Sequence, residues 1–323
     1  MLKYGTPYMK TCEQLRAKLK EATYRNRADS ILLSGGLDTS ILAFLAKPST
    51  AFTAALKDAR APDLVYSDMI AKLLRIEHKK IEYTTQEALN ALPEVIRILR
   101  TFDLALPNDL SLYFALGLAR EDNISSIMTG DGSDELFAGY SYMSDLSPKD
   151  LDKYLKRLSK SWHFSANELG RALGIQIQQP FLDKDLVSFA LGISPTLKVS
   201  EGIGKYILRK SFEDLIPPEV VWRGKDAIEY GSGSTELHKV VSNAVSDEEF
   251  EAATKRTGIG FINKEHYAYY RIYSEVVGEI PQASSGQEKC PLCGAAVGRT
   301  HCRVCGFSRP LDERLRGSSL RSE

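Results

Sequence analysis

Two short segments carry residues suited to handling phosphate. Ser34-Gly35-Gly36-Leu37-Asp38-Thr39-Ser40 follows the apolar run Ile31-Leu32-Leu33 and precedes Ile41-Leu42-Ala43-Phe44-Leu45, so it sits where a buried strand turns into a helix. Glycines there let backbone amides approach an anion, a helix N-terminus adds its positive dipole end, and Ser34, Thr39 and Ser40 supply hydroxyls. Asp38 would repel a bare phosphate, which points to a divalent cation bridging its carboxylate to the phosphates. The second segment, Gly130-Asp131-Gly132-Ser133-Asp134-Glu135, reads as the other half of one split motif. Either half alone could be a plain glycine turn or loop; together and in this order they are hard to read as turns.

Four of the five cysteines form a second chemical constellation, Cys290-Pro-Leu-Cys293-Gly and Cys302-Arg-Val-Cys305-Gly. Two such knuckles match the tetrahedral four-sulfur shell of structural zinc, and a closed shell leaves no open position for catalysis. The remaining thiol, Cys12, is expected to pack as a small apolar residue.

These groups need a frame. The chain has 323 residues, 43% of them hydrophobic, which is ample for a core. Lysine plus arginine (42) balances aspartate plus glutamate (42), so no global field recruits nucleic acid or a membrane surface. No stretch approaches the roughly 18 apolar residues of a membrane span, and the expected location is cytoplasmic. Strand-like runs at 31–33, 50–56, 79–83 and 126–129 alternate with helical spacing at 40–46, 61–74, 86–100 and 110–120, with Pro93 as an expected kink. Such alternation predicts an α/β fold with a doubly wound parallel sheet, whose ligands bind beyond the carboxyl ends of the strands. Helices are expected at 149–159, at 184–191 with Asp183 as cap, and at 206–212. The expected organisation is an N-terminal extension (1–27), a nucleotide-binding α/β core (28–145), a helical part (146–280), a small-residue linker (281–288), a zinc ribbon (289–308) tethered rather than built into the core, and a basic disordered tail (309–323) with Arg309, Arg314, Arg316 and Arg321.

In this order, Leu33 to Ser40, Gly130 to Tyr140, Pro180-Phe-Leu-Asp183, Lys205-Tyr-Ile-Leu-Arg209 and Pro217 to Lys225 give the chain a resemblance to the synthetase domain of asparagine synthetases, a branch of the PP-loop ATP pyrophosphatases. The resemblance covers roughly residues 28 to 275. It implies ATP cleavage between the α and β phosphates, an acyl-adenylate, and its conversion to an amide by an amine, with ATP and Mg2+ as cofactors beside the zinc of the ribbon. By the same resemblance Asp38 and Asp134 hold magnesium, and Ser34, Gly35, Gly36, Asp38, Thr39 and Ser40 cradle pyrophosphate. Leu32, Ala54 and Gly130 line the adenosine pocket. Lys225 stabilises charge in both half-reactions, and Asp131 stands as a general base for the incoming nitrogen. Lys205 and Arg209 read either as solvated helix charges or as phosphate contacts, and Tyr140 as a packed aromatic or a site residue. His78, His163 and His238 are expected to be structural or surface residues.

Two departures from that family matter. Its nucleophilic cysteine after the initiator methionine is replaced by Leu2, so nitrogen is expected from ammonia, from a separate glutaminase subunit or from another amine. Its Glu-x-Arg ahead of Pro-Phe-Leu-Asp is replaced by Gln176-Ile177-Gln178, which removes an arginine fork for a carboxylate, so the acceptor carboxylate is either aspartate or another compound. Three readings follow: an amide ligase using a small carboxylate, the same engine modifying a tRNA or carrier protein recruited through the zinc ribbon, and a non-catalytic nucleotide-binding subunit.

Overall fold

The computed structural model describes residues 6–311, except Ser161 and Asp226. The expected tail therefore lies outside the described residues beyond position 311. Five parallel strands form one sheet: β1 (Ser30–Leu32), β2 (Thr50–Leu56), β3 (Glu77–Tyr83), β4 (Ser126–Met128) and β5 (Gln176–Gln178), in the order β3-β2-β1-β4-β5. The first helices are α1 (Thr6–Arg25), α2 (Leu37–Ala46), α3 (Pro62–Leu74), α4 (Thr85–Leu99), α5 (Leu106–Glu121) and α6 (Ser133–Phe137). They are followed by α7 (Pro148–Leu158), α8 (Ser165–Leu173), α9 (Lys184–Gly192), α10 (Pro195–Lys198) and α11 (Tyr206–Phe212). Further helices lead to Lys264–Val276.

The sheet divides the apolar residues because successive strand side chains face opposite ways. Ala51 and Met128 join one buried cluster with residues of α1, α2, α9 and α11, while their neighbours Phe52 and Ile127 join another with residues of α4, α5, α8 and Lys264–Val276. The fold is thus doubly wound, as expected from the alternation. β1 has β2 on one side and β4 on the other, so strand order reverses there and the loops after β1 and β4 meet in one crevice.

Local signals account for many boundaries. Thr84 caps α4 and accepts from the Glu87 N–H, while the Glu87 carboxylate takes the Thr84 N–H, closing a capping box. Asp183 caps α9 by accepting from the N–H groups of Asp185 and Leu186. Pro93 lies inside α4, which runs on from Thr85 to Leu99.

Three differences from the sequence expectations have clear physical causes. The N-terminal stretch is a full helix whose Cys12, Leu15, Leu19 and Ala22 are buried against α9 and α11. The segment Gln176–Gln178 is an edge strand paired with β4, without the apolar run that would announce it. The cysteine module is docked: the Phe102 N–H donates to the Val304 carbonyl at 2.8 Å, Thr101 Oγ1 donates to the same oxygen at 3.1 Å, and all four sulfurs belong to the second apolar cluster. Even the expected linker pairs with the module, Ala283 N–H to Gly294 O at 3.3 Å, and Arg309 turns back to Glu288 at 2.7 Å.

Candidate active site and cysteine cluster

β1 ends at Leu32, and the chain turns through Ser34, Gly35 and Gly36 into α2. Gly35 has φ +67°, and a Cβ there would come within 2.3 Å of the Ser67 backbone nitrogen, so the turn demands glycine. Gly36 is the N-cap of α2 and provides no side-chain cap, leaving the first helical N–H groups directed out of the turn. Ser34 Oγ accepts from the Gly36 N–H at 3.2 Å and lies 3.1 Å from Thr39 Oγ1, which holds the hydroxyls together at that end. Ser40 does not join them. It is fully buried, its N–H goes to the Gly36 carbonyl, and its hydroxyl is sealed in the protein, because the next turn of α2 carries it inward.

The second segment leaves β4 at Gly130, where a Cβ would sit 3.1 Å from Asp38 Cβ, so the two turns touch. Ser133 Oγ donates to Asp38 Oδ1 at 2.6 Å. Asp38 Oδ2 and Asp134 Oδ1 both hold the Lys205 ammonium, at 2.6 and 2.8 Å, and Lys225 reaches Asp134 Oδ2 at 3.0 Å. Burial opposes ionisation of Asp134, yet the two lysines outweigh it and hold the carboxyl below the usual carboxylate range. Burial likewise disfavours the Lys205 ammonium, but Asp134 and Asp38 raise its pKa above the usual lysine value.

Lys205 is therefore a buried member of the site, not a solvated helix charge. It stands at φ 56°, ψ 23°, just before α11. Arg209, one turn on, is also buried, and its guanidinium donates to the carbonyls of Gly204, Val221 and Arg223. It fastens the loop that carries Lys225. Arg223 adds a second tie through Asp63 at 2.9 Å and lies over the Tyr66 ring at 4.3 Å. Asp131 faces away from the lysines, accepting from Thr129 Oγ1 at 2.7 Å and Gln179 Nε2 at 2.8 Å, and burial raises its pKa. Leu32, Ala54 and Gly130 lie at or near the carboxyl ends of β1, β2 and β4, on the same rim. Tyr140 stacks on Tyr142 and donates to Glu135 Oε1 at 2.6 Å.

Asparagine synthase is the family model that matches, over residues 13–168 and 150–279. The chain belongs to the asparagine synthase family. Among curated relatives of the family it is 30% identical over 282 residues to a glutamine-hydrolyzing asparagine synthetase of Mus musculus, covering 79% of this chain and 50% of that protein. Asparagine synthetase B of Escherichia coli is 30% identical over 274 residues, 76% of this chain and 50% of the relative. A probable asparagine synthetase of Dictyostelium discoideum is 31% identical over 290 residues, 75% and 52% respectively. The chain spans about half the length of these relatives.

Ser133 and Gly139, which carry no role in the sequence motifs, also belong to the cluster of Asp38, Asp134 and Lys205. A Cβ on Gly139 would lie 1.8 Å from Asp134 Oδ1 and 2.4 Å from Lys205 Cε, so this glycine makes room for the ion pair. Its place between Ala138 and Tyr140 in a quoted motif was the available signal. His78 bonds Asp68 and Thr53, His163 lies 3.0 Å from Glu168, and His238 bonds Glu265, all as structural partners.

The four cysteine sulfurs form a separate, buried cluster, all within 4.8 Å of one another. Cys290 and Cys305 are 3.5 Å apart and Cys293 and Cys302 are 3.7 Å apart, far beyond a disulfide of about 2.05 Å. Tetrahedral zinc with bonds of about 2.3 Å requires sulfur separations near ~3.8 Å, so the cluster could hold that ion. Gly294 and Gly306 close the knuckles by donating to the carbonyls of Cys290 and Cys302, each at 3.0 Å. No helix among the described residues is long and apolar enough to cross a membrane.

Proposed function

We propose that the chain is an ATP-dependent amide ligase that activates a carboxylate as an acyl-adenylate and passes it to ammonia or another amine. The supporting observation is the meeting of Asp38, Asp134, Lys205 and Lys225 beside the uncapped N-terminus of α2. A carboxylate oxygen attacks the α-phosphorus while the bond to pyrophosphate breaks. The α2 amides and Thr39 face the departing phosphates, and Lys225, held by its tied loop with the ammonium at the site, offers its charge to the developing negative charge. In the second step the amine nitrogen bonds to the acyl carbon, AMP leaves, and a proton passes to a base, for which Asp131 is the candidate. Asp38 and Asp134 fit magnesium by donor type, two hard carboxylates converging on one cation position that an ammonium fills here. When bound, that metal neutralises phosphate charge. Zinc is the ion we assign to the cysteine cluster, in a structural role.

The test is ATP–pyrophosphate exchange with magnesium and a set of small carboxylates, aspartate first, followed by product analysis after ammonia is added. AMP and pyrophosphate with a new amide are expected. ADP and orthophosphate would refute the reading.

A further inference from the structure

A cavity of about 220 Å3 lies between the Asp134-bearing segment and the cysteine module. Glu135, Tyr140, Tyr142 and Trp162 line one part of it, and Thr300 and His301 of the module line another. The aromatic wall is ordered. Tyr140 and Tyr142 are parallel at 5.8 Å, and the Tyr142 hydroxyl lies 3.1 Å from that of Tyr154, which also lines the space. Glu135 is the only carboxylate in the lining, and no lysine or arginine lines the space among the described residues. Glu135 accepts from Tyr140 but has no cationic partner among them, in contrast with the neighbouring Asp134.

Aromatic faces beside an uncompensated carboxylate attract an organic cation and repel a free carboxylate. Glu135 adjoins Asp134 in the chain, so the cavity is lined from the same short helix that carries one of the paired carboxylates. We propose that this cavity holds the amine substrate of the ligase, an organic ammonium larger than ammonia, with the cysteine module serving as its outer wall. The inference rests on the proposed reaction. The bound ammonium gives up one proton to a carboxylate, its nitrogen bonds to the acyl carbon as the acyl–oxygen bond to AMP breaks, and the second proton leaves with the collapse. The arrangement accounts for why the module is packed against the body: without it the aromatic wall lies open to water.

Binding can be read separately from chemistry. The full chain has two tryptophans, so Trp222→Phe leaves Trp162 as the single indole reporter. Titration with benzylammonium without ATP is expected to give saturable quenching, with benzyl alcohol and benzoate at least about tenfold weaker. Glu135→Gln is expected to weaken benzylammonium by about tenfold. Thr300→Phe, which fills the cavity from the module side, is expected to abolish quenching while the unfolding temperature holds. No saturation by the ammonium, or equal binding of the alcohol, overturns the inference. Pyrophosphate exchange with a carboxylate reads activation alone: exchange without amine binding sinks this inference only, whereas amine binding without exchange sinks the proposed reaction and, with it, the cavity's role as an amine-substrate site.

Discussion

The Lys205 ammonium lies 2.6 Å from Asp38 Oδ2, although 167 positions separate the two residues in the chain. With Asp134 on its other side, the lysine occupies the point where two acidic segments would otherwise repel one another. It is both a structural counter-ion and a cation placed beside the turn that leads into α2.

Lys205→Met tests this dual role. Removing one partner of a buried ionic set leaves uncompensated carboxylates and is expected to cost about 3 kcal/mol or more of stability. Urea unfolding should show that loss, and added magnesium should restore part of it by taking up the vacated charge. Unchanged stability in the variant contradicts the geometry.

Lys225→Ala should behave differently. Its side chain is 38% exposed and Lys205 still compensates Asp134 when it is removed, so stability should move by no more than about 1 kcal/mol. Turnover should fall by roughly a hundredfold or more through loss of transition-state charge stabilisation. Exchange rates and unfolding midpoints on the same preparation separate the two effects.

Gly139→Ala places a methyl against the Asp134–Lys205 pair. We expect pyrophosphate exchange to fall by at least about tenfold while circular dichroism stays close to the parent, since the clash is confined to the site. Full activity in this variant would show that the pair can part without consequence.

Acid should unfold the chain over a definable window. Asp183 has a folded pKa of about 2, below the usual 3.8, chiefly through the Arg25 guanidinium, and Lys205 and Lys225 likewise depress Asp134 against its burial. Depressed carboxylates contribute stability above their unfolded pKa and lose it as pH falls through the folded value. Unfolding midpoints should therefore hold down to about pH 4 and drop between about pH 4 and pH 2. Asp183→Asn should flatten that slope.

Metal removal should be felt beyond the module. One zinc per chain is expected by elemental analysis, and Cys302→Ser or chelation should lower the melting temperature of the whole body. The reason is shared packing: Phe102 contacts Tyr270 and Tyr273 at 5.4 and 5.3 Å and also bonds Val304. A zinc-stripped protein that melts unchanged would argue against this coupling.

Much of this was legible in the residues. Strand 50–56 and helix 206–212 emerge at their expected bounds, and the split motif closes at the β1–β4 reversal because strand order alone brings the two turns together. What escaped was long-range. For Lys205 and Arg209 the sequence leaves open a solvated charge or a phosphate contact, because the partners that bury them, Asp38 and the Val221 and Arg223 carbonyls, lie elsewhere in the chain. β5 carries two glutamines in three residues, so no apolar pattern signals it. Residues 281–288 have the composition of a flexible tether, yet backbone pairing with the module, which composition cannot report, holds them.

One edge of the sheet has a further consequence. β3 presents Glu77, His78, Lys79, Lys80 and Glu82 within seven residues, with Lys80 and His78 drawn to Asp68. A border so crowded with charge resists the addition of a foreign strand. Aggregation by sheet growth is disfavoured on that flank even when the protein is concentrated, and any self-association there must use side-chain surfaces instead of ladder hydrogen bonds.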